Sequence, residues 1–463
     1  MCPYSLPSIG FIAVAVAMVL VFAFTSFGAK TEDVQATLKA TAAEGKYVDL
    51  ESNQGRLRGY IRNSRQGREY IAFYKVPYAK SPIGELRFME PQPVESWEGL
   101  RDEKEVAPQC IQKEKVQSGV EAVGKEDCLY FNLYTPSVDK QSQYPTMVYF
   151  HGGSGANLCR NYFLIPHPNP SATVIEVGKL LNCSTSSSTE ILECLRSKPA
   201  ADIAVVGPLN TSLSFSMDST SSSVFLPDTP FNLLTNKKAN KVPYIMGITS
   251  EEEIGTALDI LHDPELVKKL NENWSDHASD VLGENHLTKD ELNSIKTFYF
   301  GDKLIGNNTV RNLTNMLSDW KLVHCTYLSA TMHGEQSDTY LYYFSKPGAK
   351  SYAEKHDPNF NATARGYVAH GDVSPFHFLF DEFPEIPFGD PNYYPFSEYF
   401  VRLWSQFATS GNPSGVDGLE WGPTTSRENA FWFELNDNPG RTHVLDERMR
   451  FWDQFSNTKL NYE

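Results

Sequence analysis

The stretch from Pro145 to Gly153 (PTMVYFHGG) constrains this chain more than any other. It carries no acidic or basic residue before His151, is apolar from Met147 to Phe150, and stops at two glycines. A strand with one wet face would alternate polar and apolar residues. A nearly continuous apolar run bounded by Pro and Gly predicts a strand buried on both faces, at the centre of a mostly parallel sheet. Such a sheet must be covered by helices on both sides, so the chain is expected to be α/β. The remaining segments fit that expectation. YVDLESNQGRLRGYI from Tyr47, with turn residues Asn53, Gln54 and Gly55, reads as a hairpin followed by a third strand, EYIAFYKVPYA. Cys128 to Pro136, Val242 to Glu253 and Thr339 to Ser345 read as further strands, the second running into an acidic turn. Ala172 to Cys183, TEILECLRSKPA, Glu291 to Phe298, Leu313 to His333 and Tyr399 to Ser410 are helical by periodicity, the last closed by Gly411 and Pro413. No internal repeat occurs. The serine-rich patches Ser184 to Thr189 and Thr211 to Ser223 read as surface loops, and residues 30–46 as a loose leader.

Composition then narrows the function classes. The 463 residues are 41% hydrophobic and 21% charged, enough for a sizeable core. With 41 basic against 57 acidic residues the net charge is −16, which argues against a nucleic-acid partner. The first charged residue is Lys30, and Ile9 to Ala29 before it is almost wholly apolar. Residues 1–29 are expected to be a secretory signal, with Ser26 and Gly28 near a cleavage point. The segment before Ile9 lacks Lys and Arg, and the run is long enough to stay as an N-terminal anchor, so a membrane partner is expected only if it is retained. Sequons at Asn210, Asn273, Asn307, Asn312 and Asn361 fit a secreted glycoprotein; a sixth, at Asn182, sits beside Cys183 and is the least suited. Of seven cysteines, Cys2 lies in the leader. Cys110 and Cys128 bracket 17 residues, and Cys183 and Cys194 bracket ten, short loops that suit disulfides of an oxidising compartment. Cys159 and Cys325 are left over. No CxxC pair or His-rich cluster accompanies them, so neither a metal nor another cofactor is expected.

Several segments together resemble the type-B carboxylesterases, the family that includes the cholinesterases. They are VPYAKSPIGELRFMEPQPVESWEG (Val76 to Gly99), EDCLYFNLYTP (Glu126 to Pro136), FHGGSG (Phe150 to Gly155), LLNC with ILECLRSKPA, VPYIMGITSEEE, YVAHGDVSPFHFLF, RLWSQFATSGNPS and LDERMRFWDQF. Eight segments follow the family's order over residues 47–457. Phe131 departs mildly, where the family has an aliphatic residue. The resemblance implies an α/β-hydrolase fold, esterase chemistry, disulfides Cys110–Cys128 and Cys183–Cys194, and an ion pair between Arg87 and Glu126. Trp97, within the shared PQPVESWEG segment, is read as structural.

Ester hydrolysis on that fold needs an exposed serine at a strained turn, a histidine to take its proton, a carboxylate to orient the histidine, and backbone N–H groups for the oxyanion. The family's acid position falls on Glu252 in GITSEEE, and its histidine on His370 in YVAHGD. His377, seven residues on, is read as an ordinary histidine. Glu253 replaces the family's usual glycine, where a side chain could strain the turn and adds a competing charge. Gly153 and Ser154 of the HGGS loop would supply the oxyanion donors. The nucleophile is missing, because no G-x-S-x-G occurs anywhere in the chain. Between the oxyanion loop and the helix entering at about Ala172 lie only residues 156–171, ANLCRNYFLIPHPNPS. One βαβ unit alone needs about 30 residues. The expected architecture is therefore an α/β-hydrolase fold with its central strand–elbow–helix block deleted near 156–171, and an inactive or incomplete isoform. Such a chain should fold poorly, aggregate or rearrange, since open strand edges and uncovered helices remain. Two other readings are a non-catalytic, cholinesterase-like binding or adhesion protein and an active esterase with an unrecognised serine. In complete relatives the resemblance implies a small apolar ester as substrate. The loop Ile111 to Asp127 has no aromatic to serve as a cation–π platform for a quaternary ammonium.

Overall fold

The computed structural model describes residues 46–116, 119–150, 170–206, 224–283, 287–378, 383–387 and 389–459. They gather into two units, one of 46–144 and 170–206, the other of 145–150 and 224–459.

The first unit is built on β1 (Tyr47–Glu51), β2 (Arg56–Asn63), β3 (Glu69–Pro77), β4 (Leu100–Arg101), β5 (Gln112–Val116), β6 (Gly119–Val123) and β7 (Tyr130–Thr135). Its sheet runs β1-β2-β3-β7, antiparallel throughout, with β4 alongside β2 and a separate β5–β6 hairpin. The expected hairpin at Asn53–Gly55 is present. Gly55 has φ +151°, and a Cβ there would meet the Trp97 indole at 2.5 Å, so glycine is required. Trp97 Nε1 donates to the Arg56 carbonyl at 3.1 Å, the structural role expected of it. Leu57, Ile71, Phe73 and Val76 form the small core. Helices α1 (Pro170–Leu180), α2 (Ser188–Ser197) and α3 (Ala200–Val206) follow. The first serine-rich patch is only partly loop, because Ser187 caps α2 by accepting the Glu190 N–H and Ser188 opens the helix. Disulfides join Cys110 to Cys128 and Cys183 to Cys194. Arg87 holds Glu126 with two nitrogens and donates to the carbonyls of Leu195, Arg196 and Lys198 at the C-terminal end of α2.

The second unit begins with α4 (Pro230–Thr235), β8 (Tyr244–Thr249), α5 (Ile254–Leu261), α6 (Pro264–Glu272), α7 (Trp274–His277), α8 (Ser279–Leu282), α9 (Lys289–Phe300) and α10 (Val310–Ser318). One π-helical turn, Asp319–Val323, leads into α11 (His324–Gly334). Then come β9 (Thr339–Phe344), α12 (Tyr394–Ser410), β10 (Trp432–Leu435), β11 (Gly440–Thr442) and α13 (Asp446–Lys459). The sheet order is β11-β10-β9-β8, with β8, β9 and β10 parallel. Period-two alternation sends Met246, Ile248, Leu341, Tyr343 and Trp432 into a core shared with α5 to α11 and α13. Ile245, Tyr340, Tyr342, Phe344 and Phe433 face the other side, where α12 lays down Phe396, Phe400, Trp404 and Phe407. Gly247 is tied to this packing: a Cβ there would lie 2.2 Å from the Tyr342 ring. Caps fix the helix ends, among them the Thr288–Glu291 capping box of α9 and Gly411, at φ +72°, closing α12.

One expectation is overturned. The run at Pro145 does not form a buried strand: residues 145–150 are irregular and exposed, Phe150 at 64%, and residues 151–153 lie outside the described residues. An apolar run becomes a central strand only when neighbours take up its N–H and C=O groups on both sides. Among the described residues none pairs with it, and Tyr149 rests instead on the Phe378 ring, centroids 4.6 Å apart. Both sheets also stop at a strand paired on one side only, β7 against β3 and β8 against β9, among the described residues.

Candidate active site

The acid and histidine positions read from sequence meet at the C-terminal end of β8. The strand ends at Thr249, the chain turns through 250–253, and α5 starts at Ile254. Glu252 is buried in that turn. Its Oε1 accepts the Thr249 N–H at 2.7 Å, and its Oε2 accepts from His370 Nδ1 at 2.5 Å. When the ring is neutral, donation to Glu252 puts the proton on Nδ1 and leaves the lone pair on Nε2. The His370 side chain is 31% exposed against 7% for Glu252, and Nε2 has no hydrogen-bond partner among the described residues. Burial lowers the basicity of His370, but the Glu252 charge and hydrogen bond outweigh it, so the pKa ends above the usual 6.5.

Two carboxylates that the sequence reading passed over hold this pair in place. Glu251 forms a parallel bridge with Ala369; its N–H donates to the Val368 carbonyl at 3.0 Å and its Oε2 accepts the Val368 N–H at 2.9 Å. The Ser250 hydroxyl donates to the same oxygen, and Arg311 Nη1 lies 3.1 Å from Oε1. Burial raises the Glu251 pKa despite these partners. Asp372 clamps the far side of the histidine loop, accepting from the Ala369 N–H at 2.8 Å, the Tyr352 N–H at 2.8 Å and the Ser351 hydroxyl at 2.6 Å. Burial pushes its pKa up to about 7. Their places in SEEE and HGD are visible in the sequence; that they are buried and bonded to backbone is not, because Glu251 meets a segment 117 residues away and Asp372 one about 20 residues away.

Glu253 strains nothing. Its φ is −106°, an ordinary value for any residue, and its carboxylate pairs with Lys321 Nζ at 2.8 Å on the π-helical turn. The extra charge is thus largely matched. His377 is packed, its ring stacked on Phe400 with centroids 4.2 Å apart. Gly153, Ser154, residues 156–169, Asn210 and Cys159 lie outside the described residues. Cys325 is disulfide-bonded. Asn273, Asn307 and Asn361 are exposed. Asn312 is half-buried on α10 and donates its amide to the Tyr299 carbonyl at 2.6 Å. No cluster of three metal-ligating side chains, and no helix long and apolar enough to cross a membrane, is found among the described residues.

A buried carboxylate orienting a histidine at the end of a parallel strand is the arrangement that the acid and base of a hydrolase triad require. The match to known proteins is of the same kind. The Carboxylesterase family model matches residues 45–162 and again 154–452, so this chain belongs to that family. It is 24% identical to Esterase E4 of Myzus persicae over 511 aligned positions, covering 83% of this chain and 90% of that one. It is similar at 24% to a carboxylic ester hydrolase of Bombus ignitus, over 89% and 95% of the two chains. Carboxylesterase 1C of Mus musculus is 23% identical, over 83% and 92%.

Proposed function

We propose that this chain is a secretory carboxylesterase-family protein that keeps the acid–histidine pair, Glu252 and His370, but lacks the segment carrying the nucleophilic serine. In complete relatives His370 would take the serine proton, Glu252 would steady the imidazolium, and the N–H groups of Gly153 and Ser154 would receive the oxyanion. The observation that carries this reading is the lack of any G-x-S-x-G together with the sixteen-residue interval 156–171, too short for a strand, an elbow and a helix. Three further observations support it. The family match breaks into two stretches that overlap at 154–162, inside that neighbourhood. Of the 511 positions aligned with Esterase E4, 83% of 463 residues supplies roughly 384, leaving roughly 127 positions of that relative opposite gaps. The apolar run 145–150 lies exposed, as a central strand does when its neighbours are gone.

The substrate class of the complete relatives, small apolar carboxylic esters, comes to this chain as a scaffold property rather than an activity. The disulfides, the exposed sequons at Asn273, Asn307 and Asn361, and the apolar stretch of residues 1–29 support passage through the secretory route, with the domain spanning 47–457. The test is turnover of an unactivated ester, ethyl butyrate, by the purified chain. No release of butyrate above the buffer blank is expected. Sustained turnover, abolished by a serine-directed phosphonate, would overturn the reading.

A further inference from the structure

The acid–histidine pair is left in a state it does not hold beside a serine. Nδ1 of His370 is committed to a buried carboxylate, that carboxylate is itself fixed by the Thr249 N–H, and the opposite ring nitrogen has a lone pair and no partner among the described residues. Close to a third of the side chain is open to solvent. Glu251 and Asp372 hold the backbone of Val368 and Ala369, the two residues before His370, so the ring is oriented before any ligand arrives. We propose that His370 is itself an acyl acceptor, which makes the chain a slow hydrolase of activated esters such as aryl acetates, with no serine involved. This rests on the reading that the nucleophilic serine is missing.

The step is ordinary imidazole chemistry. The Nε2 lone pair attacks the acyl carbon, an N–C bond forms, and the bond between the acyl carbon and the ester oxygen breaks with its electron pair on the departing phenolate. The acylated ring is a cation, and Glu252 lies against its Nδ1–H. Water then adds to the acyl carbon and gives its proton to solvent, and Nε2 leaves with its pair, releasing the carboxylic acid. The step as written supplies no proton to the leaving group, so the reaction is confined to phenolate-like leaving groups and excludes alkyl esters. Other histidines also face carboxylates, His356 with Asp259 at 2.9 Å and His443 with Asp446 at 2.8 Å. His370 differs in having a buried, backbone-anchored partner and in being the histidine whose basicity is raised among those with a resolved shift.

The experiment is p-nitrophenyl acetate hydrolysis by the full chain, by His370→Asn and by His356→Asn, with and without prior treatment with a fluorophosphonate. The expected result is a protein-dependent rate that His370→Asn loses, that His356→Asn keeps, and that the fluorophosphonate leaves unchanged. Mass spectrometry after rapid quenching should place a transient acetyl group on the peptide containing His370, a readout on the unmodified chain that does not depend on how the variants fold. No rate above the blank, or equal rates in both variants with no acetyl on that peptide, overturns the inference and leaves the missing serine standing. Loss of the rate after fluorophosphonate overturns both, because it reveals an activated serine.

Discussion

His377 packs against both Phe400 and Trp404, and its two ring nitrogens are buried without a hydrogen-bond partner among the described residues. Burial holds its pKa down at about 3. An unfolded histidine takes up a proton below about 6.5, while this one in the folded chain does not, so its contribution to stability is lost as pH falls from 6.5 toward 3. Asp372 acts in the opposite sense: its folded pKa near 7 stands above 3.8, so its contribution is present at low pH and lost as pH rises through 7. His377→Phe keeps the stack on Phe400 and removes both unpaired atoms. It is expected to stabilise the chain by about 1–3 kcal/mol at neutral pH, and by more at pH 5, in urea unfolding. At the acid–histidine pair, Glu252→Gln removes the charge that favours imidazolium. The His370 pKa, followed by NMR of the ring proton on Cε1, should fall by about one unit or more.

Arg87 ties elements rather than residues, because one guanidinium serves both Glu126 and the C-terminal carbonyls of α2, with 13% of the side chain exposed. Arg87→Ala leaves Glu126 and those carbonyls without their donor and is expected to destabilise the first unit by about 3–5 kcal/mol, read as a lower midpoint in denaturant. The same scale shows where the sequence was legible. Helices and strands with a local signature fell where expected: the β1–β2 turn at Gly55, the capped α9, α12 stopped by Gly411, and the buried β8 with its acidic turn. Glu252 and His370 were legible because each stands in a short motif at a strand end or on a loop. Glu251 and Lys321 were not, because their roles arise from contacts between distant segments, and Asp372 was not, because no local pattern announces its bonds to Ser351 and Tyr352. The strand expected at Pro145 failed for a related reason. Its apolar pattern encodes burial, but burial needs partner strands, and among the described residues no strand pairs with it.

Each of the two units has its own core and its own sheet, and each sheet stops at a strand paired on one side only among the described residues. Unpaired edges beside exposed apolar side chains favour association. Calorimetry combined with light scattering should therefore show more than one transition with growing aggregation, and a monomer melting in one two-state step would contradict this. If the interval 156–171 replaces a longer block, amplification of the transcript across the codons for His151 to Cys183 should also yield a longer product encoding G-x-S-x-G. The central claim is narrower than either: this chain holds no activated serine. Labelling of the purified chain with a fluorophosphonate probe tests it most directly, since a covalent adduct forms only on a serine whose proton a neighbouring base can take. The account predicts no labelled band beside an active family member labelled in parallel; a stoichiometric adduct on any serine of this chain would contradict it.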